Sequence, residues 1–312
     1  MCWLSSPVRI TALPCPTEKT VTAGGDSSHM IVSGSRTQSL AAALADQTRH
    51  ELADVSFDRF PDGEGIVRID DAPTHAVVVA STVSDRAHIE LLQLQDAVRE
   101  AGADRVTTVL PYMGYARQDR PFDAGQPVSA RAVARAISTG STRVLVVEPH
   151  ERSVCDWFTV PATAVDAAER LAVGLSAEDP LVVAPDAGAT DLARSVRDAH
   201  GTGECAHFEK RRYSDTDVEL EFASAETVAD RQVVLVDDIV ATGGTMCEAA
   251  RLLTDRGAAQ VTVACVHPLL VRGAHLKLLR AGVDTVIGTD TIEQPMSTVT
   301  VAPAIAGALS LS

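Results

Sequence analysis

The feature that most constrains the fold is a repeated alternation of short apolar runs and longer amphipathic segments. The runs are continuous and rich in valine, as expected for strands of a parallel sheet that helices cover on both faces. The segments between them have the length and periodicity of helices. The pattern therefore predicts an α/β fold built from βαβ units. The predicted strands are Val77–Ala80, Arg105–Leu110, Arg143–Val147, Leu181–Ala184, Gln232–Val236 and Gln260–Val266, and the predicted helices are His88–Ala101, Ser129–Ser138, Thr190–Ala199 and Met246–Arg256.

Two segments about half a chain apart are similar. Arg99–Thr107 and Asp255–Val263 each contain a glycine, Gly102 or Gly257, that ends a helix pattern and precedes a strand pattern. Such junctions also recur by chance, because glycine is favoured just after a helix C-terminus. The repeat nevertheless favours two similar α/β halves.

Length and charge narrow the classes of protein that fit. The chain has 312 residues, 46% of them hydrophobic, which excludes global disorder and suits two domains. Acidic residues outnumber lysine plus arginine by 42 to 27, for a net charge of −15. Such a surface repels phosphate backbones and anionic membranes. We therefore expect neither nucleic acid nor membrane among the partners.

The first 29 residues differ from the rest of the chain. Prolines and charged residues interrupt any apolar run of the signal-peptide type, and a Gly-Gly-Asp-Ser-Ser segment follows. We expect residues 1–29 to be a disordered extension and the folded part to begin at Met30. The six cysteines lack ligand-like spacing, and no apolar run reaches the roughly 20 residues that span a bilayer. These features predict reduced thiols and a cytoplasmic protein.

The strongest functional signal is the segment Val233–Thr245. Its apolar strand ends in Asp237 and Asp238, and a Thr-Gly-Gly-Thr turn at 242–245 then opens a helix. Glycines let successive backbone N–H groups face one anion, and the helix N-terminus adds its dipole. Two adjacent carboxylates repel a phosphate but can accept hydrogen bonds from vicinal ribose hydroxyls. The segment therefore predicts a sugar-phosphate site, and the absence of a Walker lysine excludes a P-loop kinase.

This segment resembles the phosphoribosyl-diphosphate-binding loop of the type I phosphoribosyltransferase superfamily. Further motifs narrow the resemblance to ribose-phosphate diphosphokinases, and they cover the chain from Met30 onward nearly without gaps. Pro149-His150-Glu151, together with the Thr-Gly-Gly-Thr turn, is most similar to the archaeal branch. The motifs are Phe60–Glu64, Pro111–Arg120, Pro149–His150, Ala184–Gly188, Lys210–Arg212, Val266–Leu270 and Gly288–Ile292.

The resemblance implies two similar phosphoribosyltransferase-type domains, each a mostly parallel sheet flanked by helices. The first, 30–165, holds the ATP side, and the second, 166–299, holds the ribose-phosphate loop. A C-terminal helix over 300–311 is expected to pack back on the first domain. The implied reaction transfers the diphosphoryl group of ATP to the C1 hydroxyl of ribose 5-phosphate and leaves AMP. The implied cofactor is Mg²⁺, and the implied assembly is a homo-oligomer with the ATP site near a subunit boundary.

Roles for individual residues also follow from the resemblance. It assigns transition-state stabilisation to Lys210 and Arg212, in a polar stretch (Glu209–Asp217) that we expect to be a mobile loop. Ala241 stands where many relatives have Asp or Ser, so we expect only its backbone N–H to contribute. The implied ATP-binding residues are Phe60, Asp62, Glu64, Arg117 and Gln118. The implied ribose-5-phosphate-binding residues are Arg212, Asp237, Asp238, Ala241, Thr242, Gly243, Gly244 and Thr245.

His150 and Asp186 are the implied Mg²⁺ ligands. A carboxylate suits Mg²⁺, which favours one or two carboxylates together with substrate oxygens. Histidine is a less natural ligand for this ion. Contact of His150 with the phosphates or with a metal-bound water therefore remains an alternative.

Two other functions stay open on the sequence alone. A phosphoribosyltransferase acting on a base shares the phosphate loop but does not need Phe60–Glu64 or the Arg117-Gln118 pair. A non-catalytic regulatory homologue is expected to have lost Lys210, His150 or Asp186, and all three are present.

The composition also predicts that the protein works at high salt concentration. Only three of the 27 basic residues are lysine, and the 42 acidic residues outnumber the basic ones. Together with the archaeal-like motifs, this predicts a salt-loving source. At about 1 M salt the Debye length is about 3 Å, which leaves little long-range repulsion between acids.

Overall fold

The computed structural model of the chain describes residues 29–212 and 218–310, and it describes side chains outside 210–219. Within these residues, two large sheets are flanked by helices. The strands are β1 (His29–Ser33), β2 (Glu51–Leu52), β3 (Val55–Arg59), β4 (Gly65–Ile69), β5 (His75–Val79), β6 (Arg105–Leu110), β7 (Arg143–Val147), β8 (Ala162–Val165), β9 (Leu181–Ala184), β10 (Glu204–Arg212), β11 (Val218–Phe222), β12 (Gln232–Ile239), β13 (Gln260–His267), β14 (Thr285–Thr289) and β15 (Ser297–Val299). The helices are α1 (Gln38–Thr48), α2 (Asp85–Glu100), α3 (Ser129–Ser138), α4 (Ala168–Val173), α5 (Thr190–His200), α6 (Gly244–Asp255), α7 (Ala274–Arg280) and α8 (Ala302–Ser310).

The first sheet has the strand order β2-β1-β5-β6-β7-β8, and every neighbouring pair is parallel. Its central strands are almost wholly buried, which explains their continuous valine-rich sequences. Strands β3 and β4 form a separate antiparallel hairpin. This hairpin lies against α2, where the side-chain amide of Gln93 donates to the Gly65 carbonyl at 2.9 Å.

The second sheet has the order β11-β10-β9-β12-β13-β14-β15 and is parallel except for the β10–β11 pair. The predicted loop from Glu209 is wrong as far as Arg212, because this backbone belongs to β10. Lys210 pairs with Leu220, and Arg212 pairs with Val218. Pairing with β11 supplies hydrogen-bond partners for the backbone N–H and C=O groups of this segment. The segment therefore forms a strand although its side chains are polar. The remainder of the predicted loop, 213–217, lies outside the described residues.

The two sheets share one apolar core. Side chains from α1, α8 and the first sheet join those from α4, α5 and the second sheet in one continuous cluster, while the outer face of each sheet has a cluster of its own. Leu40, Leu171 and Ile305 lie fully buried in the shared cluster. Helix α8 packs on α1 and thereby ties the end of the chain to the first sheet.

A polar contact also joins the two halves. Helix α1 has no acidic residue in its first turn and no side-chain cap of its own. Glu293 supplies the missing acceptor: its Oε1 accepts from the N–H groups of Ser39 at 2.6 Å and Leu40 at 3.2 Å. A carboxylate at a helix N-terminus accepts hydrogen bonds from the free N–H groups and interacts favourably with the helix dipole.

The structure confirms the α/β fold class and each predicted strand and helix, with shifts at some ends. Helix α2 starts three residues earlier than predicted, because Ser84 Oγ accepts from the Ala87 N–H and caps it. Strand β12 continues to Ile239, which pairs with His267. The exact domain boundaries stay a prediction, and residues 1–28 lie outside the described residues. Among the described residues, no helix is both long and apolar enough to cross a membrane.

Candidate active site

The carboxyl ends of strands from the two sheets meet at the junction between the halves. The Nδ1 atom of His150, just beyond β7, lies 2.8 Å from the Asp238 carboxylate near the end of β12. His267, the last residue of β13, lies with its Nε2 atom 3.0 Å from the carbonyl oxygen of Glu148. Ser81, just after β5, donates to the carbonyl of Thr291, just after β14, at 2.5 Å. This edge is where open α/β sheets hold ligands.

The predicted phosphate loop adopts the geometry that its sequence requires. Gly243 caps α6 in the left-handed region with φ 76°, a conformation that favours glycine. Gly244 begins the helix, and a Cβ atom placed on it would meet nothing within 4 Å. The start of α6 is therefore open to a ligand, as the sequence predicted for an anion site.

The carbonyl side of this loop is held by the segment after β13. The N–H groups of Leu270 and Val271 donate to the carbonyls of Val240 at 2.9 Å and Ala241 at 3.0 Å. Leu270 has a positive φ of 46°, so the segment is shaped to make these bonds at some conformational cost. These two hydrogen bonds fix the backbone of the loop, while Thr242 and Gly244 stay exposed to solvent.

The pKa values of the neighbouring carboxyl groups of Asp237 and Asp238 shift in opposite directions. Burial, followed by the charges of Asp238 and Asp186, raises the pKa of Asp237 well above its usual value. Burial also acts to raise the pKa of Asp238, but the hydrogen bond and charge of His150 outweigh it, so that the pKa of Asp238 is lowered. The same hydrogen bond raises the pKa of His150. The pair His150–Asp238 thus favours an ion pair, and Asp237 favours its protonated form.

The donor set fits a magnesium ion that also binds substrate oxygens. No group of three His, Cys, Asp or Glu side chains in the described part of the chain is arranged to hold a metal by itself. Mg²⁺ does not require one, because it keeps waters and binds one or two carboxylates together with phosphate oxygens. After burial, the negative charges of Asp238 and Asp186 also raise the pKa of Asp237, and a divalent cation would relieve this repulsion between carboxylates.

His150 itself is engaged with Asp238 through Nδ1, so only Nε2 is left for another contact. This arrangement favours the alternative in which His150 orients a carboxylate or touches the phosphates.

A cavity of about 410 Å³ lies beside the phosphate loop. Arg117, Gln118 and Ala241 line it together with Tyr112 and Thr82. The structure therefore brings two predicted ATP-binding residues next to the loop that is predicted to hold the sugar phosphate. Gln118 is oriented by Ser129, whose hydroxyl donates to its side-chain carbonyl.

The segment that carries Arg117 is packed tightly against the first sheet. The Gly114 N–H donates to Thr82 Oγ1 at 2.9 Å, and a Cβ atom on Gly114 would lie 2.2 Å from the Thr82 carbonyl oxygen. Only glycine allows this approach, which explains the glycine within Pro111–Arg120.

The three other predicted ATP-binding residues lie elsewhere. Phe60, Asp62 and Glu64 form the tip of the β3–β4 hairpin, where Gly63 has φ 94° and Phe60 is 48% exposed. None of them lines the cavity beside the phosphate loop. The structure thus separates them from Arg117 and Gln118 within one chain.

Some residues of the junction have no predicted role from the sequence. His267 is buried and connects the halves: Nε2 faces the Glu148 carbonyl, and Nδ1 lies 2.9 Å from Thr291 Oγ1. Glu148 has φ 37°, and its carboxylate accepts from the Ala167 N–H at 2.8 Å. This bond directs the carboxylate toward Ala167. The side chains of Lys210 and Arg212 lie outside the described residues.

Comparison with known proteins agrees with this geometry. Residues 29–140 match the family model described as the N-terminal domain of ribose phosphate pyrophosphokinase, and residues 162–298 match the phosphoribosyl transferase domain. A crystal structure of phosphoribosylpyrophosphate synthetase from Mycobacterium smegmatis is similar with a TM-score of 0.77 and 27% identity. That similarity covers 90% of this chain and 97% of the other.

Two curated relatives from archaea, both named ribose-phosphate pyrophosphokinase, are more similar in sequence. The protein of Halobacterium salinarum is 60% identical over 284 residues, which cover 90% of this chain and 100% of the relative. That of Methanopyrus kandleri is 44% identical over 287 residues, with 90% and 98% covered. These findings confirm the resemblance drawn from the motifs, and the Halobacterium relative agrees with the predicted salt-loving character.

Proposed function

Because the chain belongs to the ribose-phosphate pyrophosphokinase family, we propose that it transfers the diphosphoryl group of ATP to the C1 hydroxyl of ribose 5-phosphate, giving phosphoribosyl diphosphate and AMP. The observation that supports this most is the juxtaposition of two sites. The phosphate loop and the cavity lined by Arg117 and Gln118 share Ala241, so a sugar phosphate and a nucleotide can lie side by side.

The phosphate loop is proposed to hold the 5-phosphate through the backbone of 241–245 and the hydroxyls of Thr242 and Thr245. Asp237 and Asp238 then lie on the sugar side of the phosphate, where carboxyl groups can hydrogen-bond to the ribose hydroxyls. The ion pair with His150 keeps Asp238 charged and fixed in place for this contact.

In the proposed transfer, the C1 oxygen attacks the β-phosphorus, the bond from that phosphorus to the α,β-bridging oxygen breaks, and AMP leaves while the hydroxyl proton is released. Such a reaction depends on positioning and on cations near the developing negative charge. We assign this role to Lys210 and Arg212, following the resemblance. Mg²⁺, when bound near Asp186 and Asp237 with substrate oxygens, supplies further neutralising charge.

The hairpin tip with Phe60, Asp62 and Glu64 is proposed to act on the site of a neighbouring subunit. The absence of these three residues from the lining of the cavity and the exposed aromatic ring of Phe60 support this role. The active form is then a homo-oligomer. A cytoplasmic location, where both substrates are available, is part of the proposal.

The deciding experiment identifies the nucleotide product. The protein is incubated with ATP, ribose 5-phosphate and Mg²⁺, and the nucleotides are separated by chromatography. We expect AMP in equal amount to phosphoribosyl diphosphate. Formation of ADP would indicate ordinary γ-phosphoryl transfer, and an unchanged ATP pool would favour the regulatory alternative. Release of diphosphate from phosphoribosyl diphosphate and a purine base would favour the base-transferase alternative.

A matched pair of variants tests the loop assignment. Thr245→Val removes a hydroxyl from the phosphate loop, and we expect a higher KM for ribose 5-phosphate with little change in the KM for ATP. Thr254→Val removes a hydroxyl that donates to the Ala250 carbonyl of the same helix, so both constants should stay near their original values. Equal effects of the two substitutions would contradict the assignment.

A further inference from the structure

The edge of the first sheet opposite the active site carries a row of basic side chains that the proposed reaction does not use. Strands β1, β5, β6 and β7 are parallel neighbours and begin with His29, His75, Arg105 and Arg143. The register pairs His29 with His75 and His75 with Arg105. His50, just after α1, completes the group. We call these five residues the histidine–arginine edge.

The three imidazole rings of this edge lie close together. The ring centroid of His29 is 4.5 Å from that of His75 and 5.1 Å from that of His50. The Nδ1 atoms of His50 and His75 are buried and have no hydrogen-bond partner among the described residues. Buried polar atoms are normally paired, so these two indicate a ligand or an ordered water in the site.

A cavity of about 390 Å³ opens on the histidine–arginine edge. The side chains of Thr107 and Thr142 also line it, and His75 Nε2 lies 2.9 Å from Thr107 Oγ1. Helix α8 closes one side of the cavity with Leu309 and contributes no charged side chain. Val77 and Leu309 give the cavity apolar surface, while the ring nitrogens, guanidinium groups and hydroxyls of the other lining residues supply its polar groups, and it has room for a polyatomic ion.

The charges that act on His75 all have the same sign. Burial, followed by the positive charges of His29, Arg105, His50 and Arg143, lowers the pKa of His75 to about 4. These groups come from β1, β6, the end of α1 and β7, the elements around the ring. Five cationic or protonatable side chains converge here in a chain whose net charge is −15. Two guanidinium groups repel a metal ion, and the described residues form no metal-binding group of three.

We propose that the cavity at the histidine–arginine edge binds a multiply charged tetrahedral oxyanion, either free or as a phosphomonoester. Guanidinium groups bind such oxyanions through two parallel hydrogen bonds, and protonated imidazoles and hydroxyls add further donors. Binding brings negative charge to the imidazole rings and favours the protonated forms of His50 and His75, whose pKa values burial lowers in the empty site. The affinity therefore rises as the pH falls.

The test uses sulfate as the probe, because sulfate itself does not titrate between pH 5.5 and pH 8. Binding is measured by calorimetry at both pH values in constant KCl. The wild-type chain is compared with Arg105→Gln, which changes an exposed lining residue, and with Arg280→Gln, which removes an equal charge from the exposed end of α7. The same titrations in Thr245→Val reveal any share of the binding that belongs to the phosphate loop.

We expect sulfate to bind about tenfold or more tightly at pH 5.5 than at pH 8, and Arg105→Gln to weaken it about tenfold. Arg280→Gln and Thr245→Val should leave this site unchanged. Equal binding by Arg105→Gln and Arg280→Gln would overturn the proposal, and so would the same affinity at both pH values.

The position of the ion is checked with selenate-soaked crystals. An anomalous peak in the cavity is expected, and peaks at the phosphate loop alone would overturn the proposal. Displacement of sulfate by inorganic phosphate but not by glycerol 2-phosphate assigns the site to the free ion, and displacement by both assigns it to a phosphomonoester. Tight binding of Zn²⁺ without any effect of sulfate would make the edge a metal site instead and refute the oxyanion.

Discussion

Glu148 stands at the junction of the two halves, and its acidity can be predicted from its surroundings. The carboxylate accepts a hydrogen bond from the Ala167 N–H, while the main-chain oxygen lies 3.0 Å from His267 Nε2. Burial, reinforced by the negative charges of Asp166 and Asp238, raises the pKa of Glu148 to about 7. The group is therefore mainly protonated in the folded chain at pH 5 and mainly charged at pH 8.

The raised pKa makes the folded state less stable as the pH rises. An unfolded glutamate has a pKa of 4.5, so the unfolded chain loses this proton first. The stabilisation is complete below that value and is lost as the pH rises through about 7. A difference of about 2.5 pKa units corresponds to about 3 kcal/mol, of which about 2.5 kcal/mol falls between pH 5 and pH 8.

Glu148→Gln keeps an acceptor for the Ala167 N–H but does not titrate. Its free energy of unfolding relative to the wild type should therefore rise by about 2.5 kcal/mol between pH 5 and pH 8. Urea unfolding in constant molar KCl measures this difference. Glu151→Gln, which removes a charge from an exposed position, is the control and should show no such rise.

A direct measurement is the carboxyl ¹³C resonance of Glu148, assigned by its loss in Glu148→Gln. A titration midpoint near pH 7 is expected. A midpoint near that of a free glutamate, or a stability difference between wild type and Glu148→Gln that stays constant with pH, would refute the argument from burial.

Three further outcomes are expected. Lys210→Ala should lower turnover about a hundredfold or more with an unchanged circular dichroism spectrum, whereas Lys277→Ala should retain turnover; near-normal turnover of the first variant would contradict its role. Gly114→Ala should lower the free energy of unfolding by about 1–3 kcal/mol, because the added Cβ meets the Thr82 carbonyl, whereas Gly65→Ala, with open space, should change it little; equal thermal stability of the two would contradict the packing. Turnover should persist in molar KCl, and its loss above a few hundred millimolar would count against a salt-adapted surface.

The parts of the fold that could be predicted are those whose signals are local. Strand Leu181–Ala184 was predictable to the residue because Pro180 and Pro185 bracket an apolar run. The β3–β4 hairpin was not, because its side chains are mostly exposed or half-buried and give no apolar run. Strand β10 is absent from the predicted strands, and its end from Glu209 onward was predicted as a loop, because pairing with β11 and not the local sequence determines its structure.

The same division holds for the candidate site. The phosphate loop lies within one stretch of sequence, so Asp237 to Thr245 could be recognised together. The pairs that join the halves could not be recognised, since His150 and Asp238 are 88 residues apart and Glu148 and His267 are 119 apart. Single residues of such pairs look like ordinary strand-end residues until the fold brings them together.

The shared core has a consequence for how substrates enter. One apolar cluster contains side chains from the inner faces of both sheets and from α1, α4, α5 and α8. Separating the two halves would therefore expose this apolar surface to water, which is unfavourable. A hinge motion that separates the two halves is therefore unfavourable, and their relative position is expected to stay fixed. If the proposed function is right, its substrates enter and leave while the two halves stay packed together, through movement of peripheral segments alone.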